Sequence, residues 1–175
     1  MSRHDILFSE TEIAARVAAL AKEIVVAPTT PEVIVGILIG AFVFAADLAR
    51  ALAREGLPLP VEFLWLRRYG NGREGGDVTA LAATPELVRG KSVLLVDGVL
   101  DHGTTLAVAK TRLAGAGARV IATAVALDKR RVDAKLRADY AAFCDVHDFI
   151  IGYGMDDAGL GRALPYIAKV KSSSN

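Results

Sequence analysis

The amino-acid sequence predicts an α/β fold, a doubly wound and mostly parallel sheet flanked by helices. Three observations carry this expectation. Apolar, β-branched runs recur at Val33 to Ile39, Val61 to Leu66, Ser92 to Val96 and Val120 to Leu127. Helical patterns alternate with them, which is the signature of parallel strands joined by crossover helices. Glycines and acids collect where the strands end, the edge at which open α/β sheets bind their ligands.

The elements follow in order. Ile13, Val17, Leu20 and Ile24 recur at close to helical spacing, which predicts a first helix from Ser9 to Glu23 with Ser9 or Thr11 as N-cap. Val33 to Ile39, bounded by Pro31 and Gly40, reads as a strand buried on both faces, and Ala41 to Glu55 as a helix ended by Gly56. Val61 to Leu66 is the next strand. It runs into a glycine-rich, charged loop from Arg67 to Asp77, after which Val78 to Ala82 returns as a strand. Ser92 to Val96 is the central strand, Thr105 to Ala114 a helix, Val120 to Leu127 a strand, and Phe149 to Tyr153 a last one.

The bulk properties bound the function. A length of 175 residues suits one domain, taken as residues 1–175. With 53% hydrophobic residues the chain is far from the polar balance of disordered segments. Its 21 basic and 20 acidic residues leave a net charge of +1, so no global field recruits nucleic acid or an anionic membrane. The single cysteine, Cys144, excludes an intramolecular disulfide and a Cys-based zinc site, which fits a cytoplasmic setting. Arg3, Asp5, Glu10, Glu12 and Arg16 interrupt any signal-peptide run, and no stretch of about 18 apolar residues suggests a membrane span.

The most informative segment is KSVLLVDGVLDHGTTLA, from Lys91 to Ala107. An apolar strand ends in Asp97 and Asp101 and turns through Gly103, Thr104 and Thr105 into a helix. Loop amides and the positive end of the helix suit a phosphate, while an acid at the strand end accepts from ribose hydroxyls. The stretch from Val93 to Leu106 resembles the phosphoribosyl pyrophosphate motif of type I phosphoribosyltransferases. Four more segments, in family order, resemble the hypoxanthine and hypoxanthine-guanine branch: ILIGAFVFAADL from Ile37, VEFLWLRRYGNG from Val61, LDKR from Leu127, and DFIIGYGMD from Asp148 followed by Gly161 and Arg162.

The resemblance implies a type I fold with a small hood and a mobile loop, and a role for each matching residue. Asp97 would accept from the ribose hydroxyls, directly or through a Mg2+ shell, and Asp101 would be the acid/base partner of the purine imidazole nitrogen. Backbone amides of His102, Gly103, Thr104 and Thr105, with the Thr hydroxyls, would hold the 5-phosphate. Leu38, Ile39 and Gly40 would cup the pyrophosphate through main-chain amides in an unusual peptide geometry, with Arg162 pairing to the same group. Lys129 would donate to the exocyclic oxygen, Phe149 would stack on the ring and Ile150 would offer backbone groups to its edge, together selecting a 6-oxopurine. Asp156, with Asp157 beside it as an alternative, would help hold Mg2+, and Arg68 and Tyr69 would ride on the closing loop.

The implied activity is purine salvage: transfer of ribose 5-phosphate from phosphoribosyl pyrophosphate to hypoxanthine or guanine, giving the nucleotide and pyrophosphate. A homodimer or homotetramer is implied as well. The chain departs from the family pattern at Gly98, where a second adjacent acid is usual, at Ile39, where Lys is common, and at Arg68, His102 and Thr104. A lost charge-assisted hydrogen bond is worth about 1.5–3 kcal/mol, so Gly98 read as a missing acid predicts binding weaker by one or two orders of magnitude. These departures motivate two rivals: a sensor that binds phosphoribosyl pyrophosphate or a nucleotide without turnover, and a transferase for another base such as xanthine.

Overall fold

The computed structural model describes residues 4–69, 77–82 and 84–170. A short strand β1 (Asp5–Phe8) leads into helix α1 (Glu10–Val25). Ser9 is its N-cap and makes a complete capping box with Glu12, two of the helix's unpaired donors being satisfied by that exchange. Strand β2 (Val33–Leu38), helix α2 (Phe42–Arg54), β3 (Val61–Tyr69) and β4 (Asp77–Ala80) follow. Then come β5 (Ser92–Leu100), α3 (Thr104–Gly115), β6 (Val120–Asp128), β7 (Tyr140–Cys144), β8 (Ile150–Ile151) and β9 (Ile167–Lys169).

The main sheet has the order β4-β3-β2-β5-β6-β7, parallel throughout except for β4, which returns antiparallel on β3. Side-chain alternation divides the core. Ile34, Leu94, Val96 and Ala124 face one layer with α1 and α2, whereas Val33, Val35, Val93, Leu95 and Val125 face the other with Leu106, Ala109 and Leu113 of α3. Helices on both faces bury both sides of the central strands, which is why those strands read as continuous apolar runs. The order places β5 between β2 and β6, so the loops that leave these three strands meet at one edge.

A second, three-stranded antiparallel sheet, β1-β9-β8, forms the hood. Its Ile150 and Ile167, with Tyr153 just beyond β8, join the same core as α1 and α2.

The structure extends several expected elements. The central strand does not stop at Asp97: pairing with β6 continues through Val99 and Leu100, so Asp97 lies within β5. The third strand likewise runs on through Arg68 and Tyr69, because β4 supplies partners for their backbone. These two residues were expected on the closing loop; the side chains of both, and residues 70–76, lie outside the described residues. The predicted final strand shrinks to Ile150–Ile151, and β1, β7 and β9 were not anticipated. Each is five residues or fewer and draws its pairing from distant chain.

Candidate active site

The loops at the C-terminal ends of β2, β5 and β6 and the segment around β8 enclose a cavity of about 480 Å³. Leu38, Gly40, Asp97, Asp101, Thr105, Lys129, Phe149, Ile150, Asp156 and Arg162 all line it. Residues as far apart in sequence as Leu38 and Arg162, 124 positions, are thus gathered around one space of the size that holds a small ligand. Ile39 falls instead in an adjoining recess with Trp65, Arg67 and Leu81, which shares Arg162 with the main cavity. His102, Gly103 and Thr104 form the loop and helix start behind Asp101 rather than the cavity wall.

The loop between β5 and α3 is shaped by a glycine. Gly103 is the N-cap of α3 with φ of 78°, and a Cβ there would lie 3.2 Å from Leu100 and 3.3 Å from Leu136. A side chain would therefore be both crowded and in the left-handed region. Among the described residues no side chain caps α3, so its first turn presents main-chain donors and the positive end of the helix dipole to the loop.

Gly40 sits in a tighter place. Its carbonyl oxygen would lie 2.8 Å from a Cβ on Gly98 and 2.5 Å from one on Gly154. The β2–α2 loop thus closes onto the end of β5 and onto the turn after β8 only because both carry no side chain. The preceding Leu38–Ile39 peptide bond is cis. Gly98 is accordingly a packing requirement in this chain as well as the position of a missing acid, which nothing in its local sequence signals.

Asp101 has two differently surrounded oxygens. Its Oδ2 lies 3.4 Å from Lys129 Nζ, on the cavity side. Its Oδ1 is buried without a well-aligned hydrogen bond among the described residues, although His102 Nδ1 is 3.3 Å and Arg131 Nε 3.4 Å away. Lys129 is held in place by an unforeseen residue. The buried Asp128 carboxylate accepts from the Arg130 amide at 2.7 Å, and the Lys129 amide donates to the Leu100 carbonyl at 3.0 Å. This turn aims the ammonium group at Asp101.

On the opposite wall Arg162 donates to the Gly154 carbonyl at 2.8 Å and pairs with Asp156 at 2.6 Å. The Gly159 amide donates to the other oxygen of Asp156 at 2.7 Å. Tyr153, buried between Gly152 and Gly154, donates its hydroxyl to Asp47 of α2 at 2.8 Å. Burial first, and then the hydrogen bond to Asp47, push the Tyr153 phenol far above its ordinary range, so it stays a neutral donor. This pair ties α2, the helix that follows the Leu38 to Gly40 loop, to the turn that carries Asp156. Neither residue stood out in the sequence, since an Asp within a helix and a Tyr after two isoleucines have ordinary structural readings.

With that geometry in place, comparison with known proteins is decisive. The family model described as the phosphoribosyl transferase domain matches residues 4–158. The hypoxanthine-guanine phosphoribosyltransferase of Aquifex aeolicus is 38% identical over 172 residues, covering 95% of this chain and 94% of that relative. The chain belongs to the hypoxanthine phosphoribosyltransferase family. The hypoxanthine phosphoribosyltransferase of Salmonella typhimurium is 34% identical over 171 residues, again covering 95% and 94% of the two chains. Among solved structures, the Trypanosoma cruzi hypoxanthine phosphoribosyltransferase in complex with the product IMP superposes with a TM-score of 0.85 at 31% identity, covering 97% of this chain and 95% of that one. The type I fold expected from the motifs is therefore the fold observed, and the chemistry is that of a purine phosphoribosyltransferase, a pentosyl-transferring enzyme.

Proposed function

We propose that the protein transfers the 5-phosphoribosyl group of phosphoribosyl pyrophosphate to hypoxanthine, and also to guanine, in purine salvage. The supporting observation is the pairing of Lys129 Nζ with Asp101 at 3.4 Å on one side of the cavity. In a 6-oxopurine, O6 and N7 share one edge. A lysine donor beside a carboxylate acceptor matches that edge, the ammonium taking O6 and the carboxylate taking the N7 proton. Phe149 would cover the ring face and the Ile150 backbone would meet the remaining edge.

The 5-phosphate would rest on the amides from His102 to Thr105, ahead of α3, and Asp97 would accept from the ribose hydroxyls. Pyrophosphate would lie against Leu38, Ile39 and Gly40, with Arg162 exchanging part of its pairing with Asp156 for the leaving group. The C1′–oxygen bond to pyrophosphate breaks as the purine nitrogen bonds to C1′. The enzyme's share is to hold the reactants in line and to take the purine proton on Asp101. Arg68 and Tyr69 would contribute to closure over this centre.

Among the described residues no three metal-binding side chains cluster. Mg2+ does not need them, since it retains water and is held by one or two carboxylates together with substrate phosphates. Asp156 and Asp97, which line the same cavity, fit that role, and Mg2+ would supply neutralisation of the pyrophosphate charge. The reading also takes residues 1–175 as one catalytic domain of a cytoplasmic homodimer or homotetramer. The exposed Phe63 and Trp65 on one face of β3 support the assembly, and among the described residues no helix is long and apolar enough to cross a membrane.

The test is a spectrophotometric assay with Mg2+, phosphoribosyl pyrophosphate and each of hypoxanthine, guanine, xanthine and adenine. Turnover of the first two is expected, with Lys129→Met losing base affinity more than phosphoribosyl pyrophosphate affinity. Binding of phosphoribosyl pyrophosphate without turnover of any base would refute the proposal.

A further inference from the structure

The cavity that would take the substrate is poor in positive charge. Among the described residues that line it, the three carboxylates Asp97, Asp101 and Asp156 outnumber the two cations, Lys129 and Arg162. Arg162 is moreover committed in part, donating to the Gly154 carbonyl at 2.8 Å and pairing with Asp156 at 2.6 Å. Phosphoribosyl pyrophosphate carries a monophosphate and a diphosphate, and the first alone has the positive end of α3 before it.

Further positive charge stands across the Leu38 to Gly40 loop. That loop is a partition: Ile37, Leu38 and Gly40 line the main cavity, whereas Ile39 lines an adjoining recess of about 400 Å³ with Trp65, Arg67 and Leu81. The two spaces meet at Leu66 and Arg162, which line both. Strand register fixes Arg67 there. Leu38, the last residue of β2, pairs with Trp65, so β3 runs on past the loop, and the next residue on the Trp65 face is Arg67. Its backbone is paired with Thr79 of β4, which holds the root of the side chain on the sheet. Among the described residues that line the recess, Arg67 and Arg162 are the charged ones, and both are cationic.

We propose that this recess seats the terminal phosphate of the diphosphate, with Arg67 as a further binding residue. The inference rests on the reading of phosphoribosyl pyrophosphate as the substrate. The diphosphate would straddle the loop, its ester-linked phosphate on the main-cavity side and its terminal phosphate between Arg162 and Arg67. Two guanidinium forks suit the oxygens of a phosphate and stay charged at any working pH. Ile39, Trp65 and Leu81 supply the apolar wall, and low local polarity strengthens a charge-assisted bond. The same seat holds the group before and after transfer, so it retains free pyrophosphate as well as the substrate. The other described cations around the site serve its opposite end: Lys129 and Arg131 lie at Asp101, and Arg130 faces Asp145.

Arg67→Met keeps an apolar stem and removes the fork. Isothermal calorimetry with inorganic pyrophosphate and Mg2+ should show binding roughly tenfold weaker than in the wild type, the low end for a lost charge-assisted bond. IMP, which has no diphosphate, should bind both enzymes alike, and the KM for phosphoribosyl pyrophosphate should rise while that for hypoxanthine stays unchanged. Arg67→Lys should recover part of the pyrophosphate affinity, since it restores charge without the planar fork. Arg119→Gln removes a charge at the opposite edge of the sheet, where Arg119 pairs with Glu32, and should leave pyrophosphate binding at the wild-type value. An Arg67→Met enzyme that binds pyrophosphate as the wild type does, that loses IMP affinity by the same factor, or that shares its loss with Arg119→Gln would overturn the seat. Turnover by the wild type separates the two levels. If hypoxanthine is converted and Arg67→Met binds pyrophosphate normally, only the seat fails; if pyrophosphate binds through Arg67 but no base is converted, the seat stands and the proposed activity fails.

Discussion

Replacing Gly98 by Ala and, separately, by Asp distinguishes a missing acid from a required glycine. A Cβ at this position would sit 2.8 Å from the Gly40 carbonyl oxygen and 3.2 Å from its carbon, against an ordinary contact limit of 3.4 Å. The loop or the strand end must then move by about 0.6 Å, and both are backbone, so relief is costly. Forcing extra atoms into a close-packed site costs about 1–3 kcal/mol. A Gly→Ala change recovers roughly 0.4–1 kcal/mol through the unfolded chain. The net loss for Gly98→Ala is therefore centred on ~1.3 kcal/mol, a fall in Tm of roughly 3–5 °C for a chain of this size. Because Gly40 belongs to the pyrophosphate loop, phosphoribosyl pyrophosphate should also bind more weakly. If the position were merely an absent acceptor, Gly98→Asp would tighten binding by one or two orders of magnitude, from the ~1.5–3 kcal/mol of a charge-assisted bond. Thermal unfolding and calorimetry of both variants settle the matter. A Gly98→Asp enzyme with undiminished Tm and tighter phosphoribosyl pyrophosphate binding would refute the steric argument.

Two further expectations concern stability. Tyr153→Phe removes the bond to Asp47, and with Asp47 partly open to water the loss should lie near the lower end of the ~1.5–3 kcal/mol range, lowering Tm by roughly 3–6 °C and raising the KM for phosphoribosyl pyrophosphate as the turn carrying Asp156 loosens. The Ser9 hydroxyl and amide hold the Glu12 carboxyl below its ordinary range, so the cap stabilises the fold above that range and is lost as pH falls through the lowered value. The Tm gap between wild type and Ser9→Ala should accordingly be constant near neutrality and close in acid; a gap that widened in acid would contradict the cap assignment.

Part of the site was legible because its signals are local. The Asp97 to Thr105 loop announces its chemistry by spacing and by the strand and helix beside it, whereas the Leu38 to Gly40 loop, Lys129, and the Phe149 to Arg162 segment were legible through their resemblance to the family's motifs. The central strands were legible from local signals too, since burial on both faces leaves an unbroken apolar run. The hood was not. Strands β1 and β9 pair across almost the whole chain, Asp5 opposite Lys169, and four residues or fewer carry no periodicity to read.

The sequence by itself determined the α/β class, because periodicity is written in neighbouring residues, and its resemblance to a known family supplied the order of the motifs and most of the groups that line the cavity. Only the tertiary structure decided how those groups face one another. It set Gly98 and Gly154 against the Gly40 carbonyl, joined Tyr153 to Asp47, and gave Asp101 one oxygen toward Lys129 and the other toward His102. Such relations depend on which backbones come into contact once the sheet and helices are packed, and close packing makes a few tenths of an ångström there decide what a residue can do.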